Sequence, residues 1–195
     1  MLYDNDTFER GGEQFRVTFP YDDIQDAPWE WADGHGVVSD WTDRAKAPGE
    51  RELCSDHSSR RFYDFAETMK IAKRDGWGLG DDDKAKLADK LGHAPSRKEI
   101  IAEAVERDFE YLRRFCNDQW SYVGVVVTLL DDDGEKTDKQ DSLWGIESDC
   151  DDYLESTAYE LADEILHQLA AQRDRDATIA AAQMEAARPD MYGKL

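Results

Sequence analysis

The ten residues SYVGVVVTLL, at 121–130, constrain the fold more than any other part of this chain. The run is almost wholly apolar and largely β-branched, a composition that fits the pleated surface of a strand. A strand apolar on both faces must be covered on both, so this one is predicted to lie centrally in a sheet. The polar stretch DDDGEKTDKQ (131–140) follows as a loop, and DSLWGIES (141–148) returns as the antiparallel partner. FRVTF (15–19), closed by Pro20, alternates as a further strand, and short strands fit 36–39 and 51–55.

Elsewhere the apolar period is helical. Ser58 or Ser59 caps a helix running to about Asp75, with Phe62, Phe65, Ala66, Met69 and Ala72 on one face, and GWGLG (76–80) stops it. A shorter helix fits 82–91, ended by Gly92. Ser96 and Glu99 form a capping box for a third helix reaching about Gln119. Its inner stripe is Ile101, Val105, Leu112 and Phe115, with Ile100 and Phe109 beside it. Ser148 or Asp149 opens the last helix, which gathers Leu154, Ala158, Leu161, Ile165 and Leu169 in one arc and continues through ATIAAAQMEAA to Pro189.

This order predicts an α+β fold: an antiparallel sheet of about three to five strands, helices packed on one face, and a long C-terminal helix. Residues 1–173 are expected to form one domain, with an irregular Trp-containing segment at 21–49. Residues 174–195 are expected to form an alanine-rich helical extension or tail, where Ile179 and Met184 offer a surface for a homodimer.

Charge narrows the function. The chain has 45 acidic and 24 basic residues, a formal net charge of −21. Such a field repels nucleic acid and anionic membranes, so direct binding to either is excluded and cationic partners are favoured. No run of about 18 apolar residues is present to span a membrane. MLYDNDTFERGG lacks the basic and apolar regions of a secretory signal. Cys54, Cys116 and Cys150 are too few and too widely spaced for a disulfide framework, which places the chain in a reducing cytoplasm.

The charge is also localised. Residues 1–60 carry −8, residues 61–130 only −1, residues 131–176 fully −12, and the remaining 19 balance. In the last helix Asp152, Glu155, Glu160, Asp163 and Glu164 spread over the arc opposite the apolar stripe. Asp151/Glu155 and Glu160/Glu164 are like-charge pairs at i,i+4, each costing roughly 0.2–0.5 kcal/mol. Asp149, Asp151 and Asp152 recover something from the helix dipole, whereas Glu160, Asp163 and Glu164 lie beyond its reach. The third helix, by contrast, pairs Glu103 with Arg107 and Glu110 with Arg114 in the favourable order. A solvated face is the ordinary reading of such acids, but here they repel without local compensation.

A helix repeats a carboxylate about every 5.4 Å, loosely matching the phosphate step of about 3.4 Å along duplex DNA. With Asp131, Asp132 and Asp133 beside such a helix, the acids would form a multi-row anionic surface. The candidate surface for a cationic partner is therefore Asp131, Asp132, Asp133, Asp149, Asp151, Asp152, Glu155, Glu160, Asp163 and Glu164.

Other chemistry fails on motif grounds. An EF-hand register ending at Gly134 puts Leu129 and Gln140 at ligand positions. Cys54 and His57 have metal-like spacing but no second close pair to complete a zinc site. GWGLG and DGHG lack the residues of a phosphate loop and read as turns. Trp29, Trp31 and Trp41 form either an aromatic pocket for a cation or a satellite core. No activated nucleophile stands out, so no enzyme, cofactor or metal is expected.

The segments DGHGVVSDWTDR, RRFYDFAETMKIAKRDGWG, CNDQWSYVGVVVTLLDDDGE and DSLWGIESDCDDYLES resemble those of small acidic proteins of tailed phages and bacterial mobile elements. The likeness covers most of the chain up to about Glu164, and that group has no catalytic motif to carry across. It implies a context in which acidic proteins imitate nucleic acid and disable CRISPR effectors or restriction enzymes. The expectation is an inhibitor that docks on a basic nucleic-acid-binding host protein. The alternatives are a phage accessory module binding through its aromatic N-terminal region, and a halophile protein, which the near-neutral 61–130 block disfavours.

Overall fold

The computed structural model describes residues 1–186. Its contacts divide into two compact units, Met1–Asp23 with Tyr122 onward, and Ile24–Ser121. The fold is α+β, with two antiparallel sheets, several helices and a long C-terminal helix.

The first unit is a four-stranded sheet. Strands β1 (Thr7–Arg10) and β2 (Glu13–Thr18) form a hairpin about Gly11 and Gly12, both with positive φ as a tight two-residue turn requires. β2 then pairs with the central apolar run, and the sheet order is β1-β2-β6-β7. Here β6 is Tyr122–Leu130 and β7 is Lys136–Glu147. Eight of the nine residues of β6 are buried, as its two-faced apolar pattern predicts. Helix α5 (Asp151–Ala186) covers one face. Leu154, Ala158, Ala162 and Ile165 meet Phe8, Phe15, Val17, Val123, Val125, Val127, Leu129 and Ile146 there. Leu161 and Leu169 of the expected stripe are only partly buried, and Thr157 and Ala162 take the innermost places. Small residues there let the helix approach the sheet closely.

The second unit holds a three-stranded sheet, β3-β5-β4, and four helices. Its strands are β3 (Val37–Val38), β4 (Glu50–Asp56) and β5 (Ser59–Asp64). Its helices are α1 (Pro28–Trp31), α2 (Phe65–Asp75), α3 (Asp81–Leu91) and α4 (Arg97–Cys116). The Ser96–Glu99 capping box is formed as expected. Ile101, Val105, Phe109 and Leu112 of α4 pack on Leu53, Cys54, Tyr63 and Ala72.

Residues 1–173 are shared between two compact units, each with its own sheet. One expectation is corrected. The helix expected from Ser58 or Ser59 begins at Phe65, capped by Asp64, whose side chain accepts the Glu67 N–H. Residues 59–64 pair with β4 instead, so ladder hydrogen bonds outweigh a helical apolar period. At the C-terminal end α5 passes Arg173 without a break and runs to Ala186. The last residues of its expected run to Pro189 lie outside the described residues.

Candidate functional site

The ten candidate carboxylates all belong to the first unit. Asp131, Asp132 and Asp133 occupy the turn from β6 to β7, and Asp149, Asp151 and Asp152 lie past the other end of β7. The β6–β7 ladder, eight steps of about 3.3 Å along β6, separates these two groups by roughly 26 Å. Helix α5 packs along the sheet, and its Asp163 meets Arg10 at the end of β1.

Within the turn, Asp131 serves the backbone. Its Oδ1 accepts the Asp133 N–H at 3.0 Å and the Glu135 N–H at 2.9 Å. Gly134, at φ 81°, supplies the left-handed residue that closes it. Asp132 and Asp133 are exposed and have no basic partner among the described residues.

On α5, Asp152, Glu160, Asp163 and Glu164 are exposed, as their positions opposite the buried stripe require. Two of the helix acids are neutralised by segments the local sequence could not reveal. Arg10 donates to both oxygens of Asp163, at 2.8 and 2.7 Å, and lies over the Tyr159 ring. That hydrogen bonding holds the Asp163 carboxyl below its usual range. The Met1 amine lies 2.9 Å from Glu155, which is half-buried and also accepts the Tyr159 hydroxyl. Glu164 takes an amide hydrogen from Gln168. Asp151, Asp152 and Glu160 have no ion-pair partner among the described residues. Toward its far end the helix meets β7 across a hollow of about 360 Å³ lined by Asp138, Lys139, Gln168 and Arg175 among others, where both signs of charge are present.

Glu147, Asp149 and Cys150 are the one group of ligand-type side chains, among the described residues, whose donor atoms lie within 4.8 Å of one another. It lies outside the calcium register considered at 129–140. Nor do Cys54 and His57 converge: Cys54 is buried, while His57 stands 93% exposed at the β4–β5 turn beside Asp56. The control drawn from α4 holds in kind. Glu103 pairs with Arg107 at 3.4 Å, and Glu110 also pairs with Arg113 at 2.8 Å.

The tryptophan segment resolves toward the satellite-core reading. Trp29 and Trp41 lie 4.9 and 5.1 Å from the guanidinium of Arg61, so the cation between the rings is the chain's own. Trp31 is half-exposed.

Composition gave no sign of one polar knot. Asp108, on α4, approaches His35 Nδ1 at 2.7 Å and accepts the Gly36 N–H at 2.8 Å and the Tyr63 hydroxyl at 2.7 Å. His35 stacks on Tyr111. Burial, reinforced by the Asp108 charge, pushes the Tyr63 hydroxyl far above its ordinary range. Gly36 is required here, because any Cβ would collide with the Tyr63 ring and hydroxyl. A hollow of about 430 Å³ lined by Gly34, Trp77, Gly78, Gly80 and Arg107 adjoins Asp108. With both Asp108 oxygens engaged, the arrangement anchors the DGHG turn to α4. The sequence signal was a residue three after buried Val105 and four before buried Leu112, on the inner side of α4, that happened to be an acid. No family model, characterised protein or solved structure matches this chain.

Proposed function

We propose that the protein is a non-enzymatic inhibitor, of phage or mobile-element origin, acting in the bacterial host cytoplasm. Its acidic first unit occupies the basic nucleic-acid-binding surface of a host defence protein, such as a CRISPR effector or a restriction enzyme. The observation that supports this reading is the distribution of charge. The first unit carries 24 acids against 8 bases, net −16, and the second 21 against 16, net −5. The working set is narrower than the ten candidates. Asp132, Asp133, Asp151, Asp152 and Glu160 are left to a partner, while Asp131, Glu155 and Asp163 are engaged within the chain. No described helix is long and apolar enough to cross a membrane.

Binding of this kind is fast and falls steeply with salt. The test immobilises the protein, passes bacterial lysate at low salt, and elutes with a short DNA duplex. Retained nucleic-acid-binding proteins released by duplex and by salt support the reading. The variant carrying D132N, D133N, D152N and E160Q together is expected to retain at least about tenfold less. Equal retention by that variant at physiological salt overturns it.

The second reading, an accessory module acting through the aromatic segment with acidity serving only solubility, draws on the exposure of Ile24, Trp31 and Trp41. It expects retention to survive the charge changes and to fall with W31A.

A further inference from the structure

Cys54 and Cys116 lie 62 positions apart in the chain and meet in the second unit's core. The cause is a bulge. In the β4–β5 ladder Glu52 faces Phe62 and Cys54 faces Arg61, so Leu53 is an extra residue. A regular strand turns neighbouring side chains to opposite faces. The bulge turns both Leu53 and Cys54 inward. Cys116 is the last residue of α4 and packs on the same core, half-buried. The following residue fixes the helix end to the bulge: Asn117 Nδ2 donates to the Leu53 carbonyl at 2.9 Å.

The electrostatics at the pair are unusual for so acidic a chain. Interaction with the Cys116 thiol holds the Cys54 thiol below its ordinary range against the effect of burial, with help from the Arg61 charge. The same interaction and burial push Cys116 up. Arg61 has no carboxylate partner among the described residues, although the chain contains 45 acids. Its Nε is buried and makes no hydrogen bond. Its guanidinium lies between the Trp29 and Trp41 rings and faces Cys54 directly across the ladder.

We propose that Cys54 and Cys116 form a reversible dithiol–disulfide couple that reacts with small disulfides. Cys54 is the attacking thiolate, Cys116 the resolving thiol, and Arg61 a positioning residue that favours the thiolate. The Cys54 sulfur attacks one sulfur of the reagent R–S–S–R. The reagent bond breaks, one thiolate leaves, and a mixed disulfide remains on Cys54. Cys116 loses its proton and attacks the Cys54 sulfur, expelling the second thiolate. Two electrons pass to the reagent, and the two protein protons are balanced by those taken up by the released thiols. The product links β4 covalently to the end of α4.

The test uses the full chain with exposed Cys150 replaced by Ser, folded, and treated with oxidised glutathione. Alkylation and peptide mass spectrometry should find both thiols lost together in a 54–116 disulfide that dithiothreitol reverses. With C116S added, glutathione should accumulate on Cys54. R61M should slow alkylation of Cys54 about tenfold at neutral pH and raise the midpoint of its pH–rate profile, with R61K restoring it. The proposal is overturned if both thiols stay alkylatable after oxidation of the folded chain. It also fails if glutathione adds to Cys116 in C54S as fast as to Cys54 in C116S, or if R61M leaves the pH profile unmoved.

Discussion

The two units sit in one chain and one solvent, yet they handle charge in opposite ways. In Ile24–Ser121 acids are put to work: Glu50 holds Arg44 and the Ala47 N–H, Asp83 and Glu103 both hold Arg107, and Asp108 binds three groups. That unit even gathers Lys70, Lys73, Arg97 and Lys98 around a hollow floored by Met69 and Ile101. The unit built from Met1–Asp23 and Tyr122 onward has 16 more acids than bases, and several outward acids on α5 have no ion-pair partner among the described residues. Salt adaptation or general solubility would acidify both surfaces alike. The asymmetry points to a local demand.

The contrast breaks if acids of the two units cost the same to remove. Asp108 is 9% exposed at its side chain and satisfies donors from β5 and the DGHG turn. D108A should destabilise the protein by about 3 kcal/mol, since buried donors would lose a charged acceptor. Urea unfolding with hydrogen exchange checks this, and α4 amides should lose protection more than those of β6. D152N, an exposed acid with no partner among the described residues, should leave the urea midpoint nearly unchanged. A midpoint drop in D152N approaching that of D108A would make the α5 acids structural and end the contrast.

A smaller effect sharpens it. Removing the Glu160/Glu164 repulsion with E160Q should raise the melting temperature by about 1 °C at low salt, and the gain should vanish near 1 M salt, where the screening length is about 3 Å. E103Q on α4 should do the reverse, because it discards a favourable partner of Arg107. Calorimetry at two salt concentrations separates these. Equal signs for the two variants would show that the helices differ only in composition.

Much of the architecture was readable because it rests on periodicity. The two-faced run at 121–130, the Ser96–Glu99 cap and the stripe of α4 each follow from spacing that neighbours in sequence can reveal. The failures share a physical cause, which is that long-range pairing decided them. Residues 59–64 have a helical apolar period yet join a ladder, and TFER became a strand only because the Gly11-Gly12 turn folds it onto β2. The site shows the same division. Where the acids lie along α5 was legible from 100° steps, but their neutralisation by Met1 and Arg10, more than 150 residues away, was not.

Arg10 and Asp163 supply the finest test, because here the first unit behaves like the second. The Arg10 guanidinium, by hydrogen bond and charge, holds the Asp163 carboxyl below the ordinary carboxylate range. A folded-state value lowered in this way stabilises the fold at pH above the unfolded value. The contribution is lost as pH falls from the ordinary carboxylate range through the lowered one. In R10Q the Asp163 carboxyl should titrate back within the ordinary range, as carboxyl-carbon NMR would show. The variant should also lose less stability than the parent on acidification through that window. If the cationic partner engages Asp163, it must displace Arg10 first, so R10Q should bind more tightly and with a steeper salt dependence. Unchanged affinity in R10Q would leave Asp163 out of the interface and confine the contact to acids such as Asp152 and Glu160. The pair thus decides whether the acidic face of α5 presents a continuous row to its partner or one interrupted by the chain's own arginine.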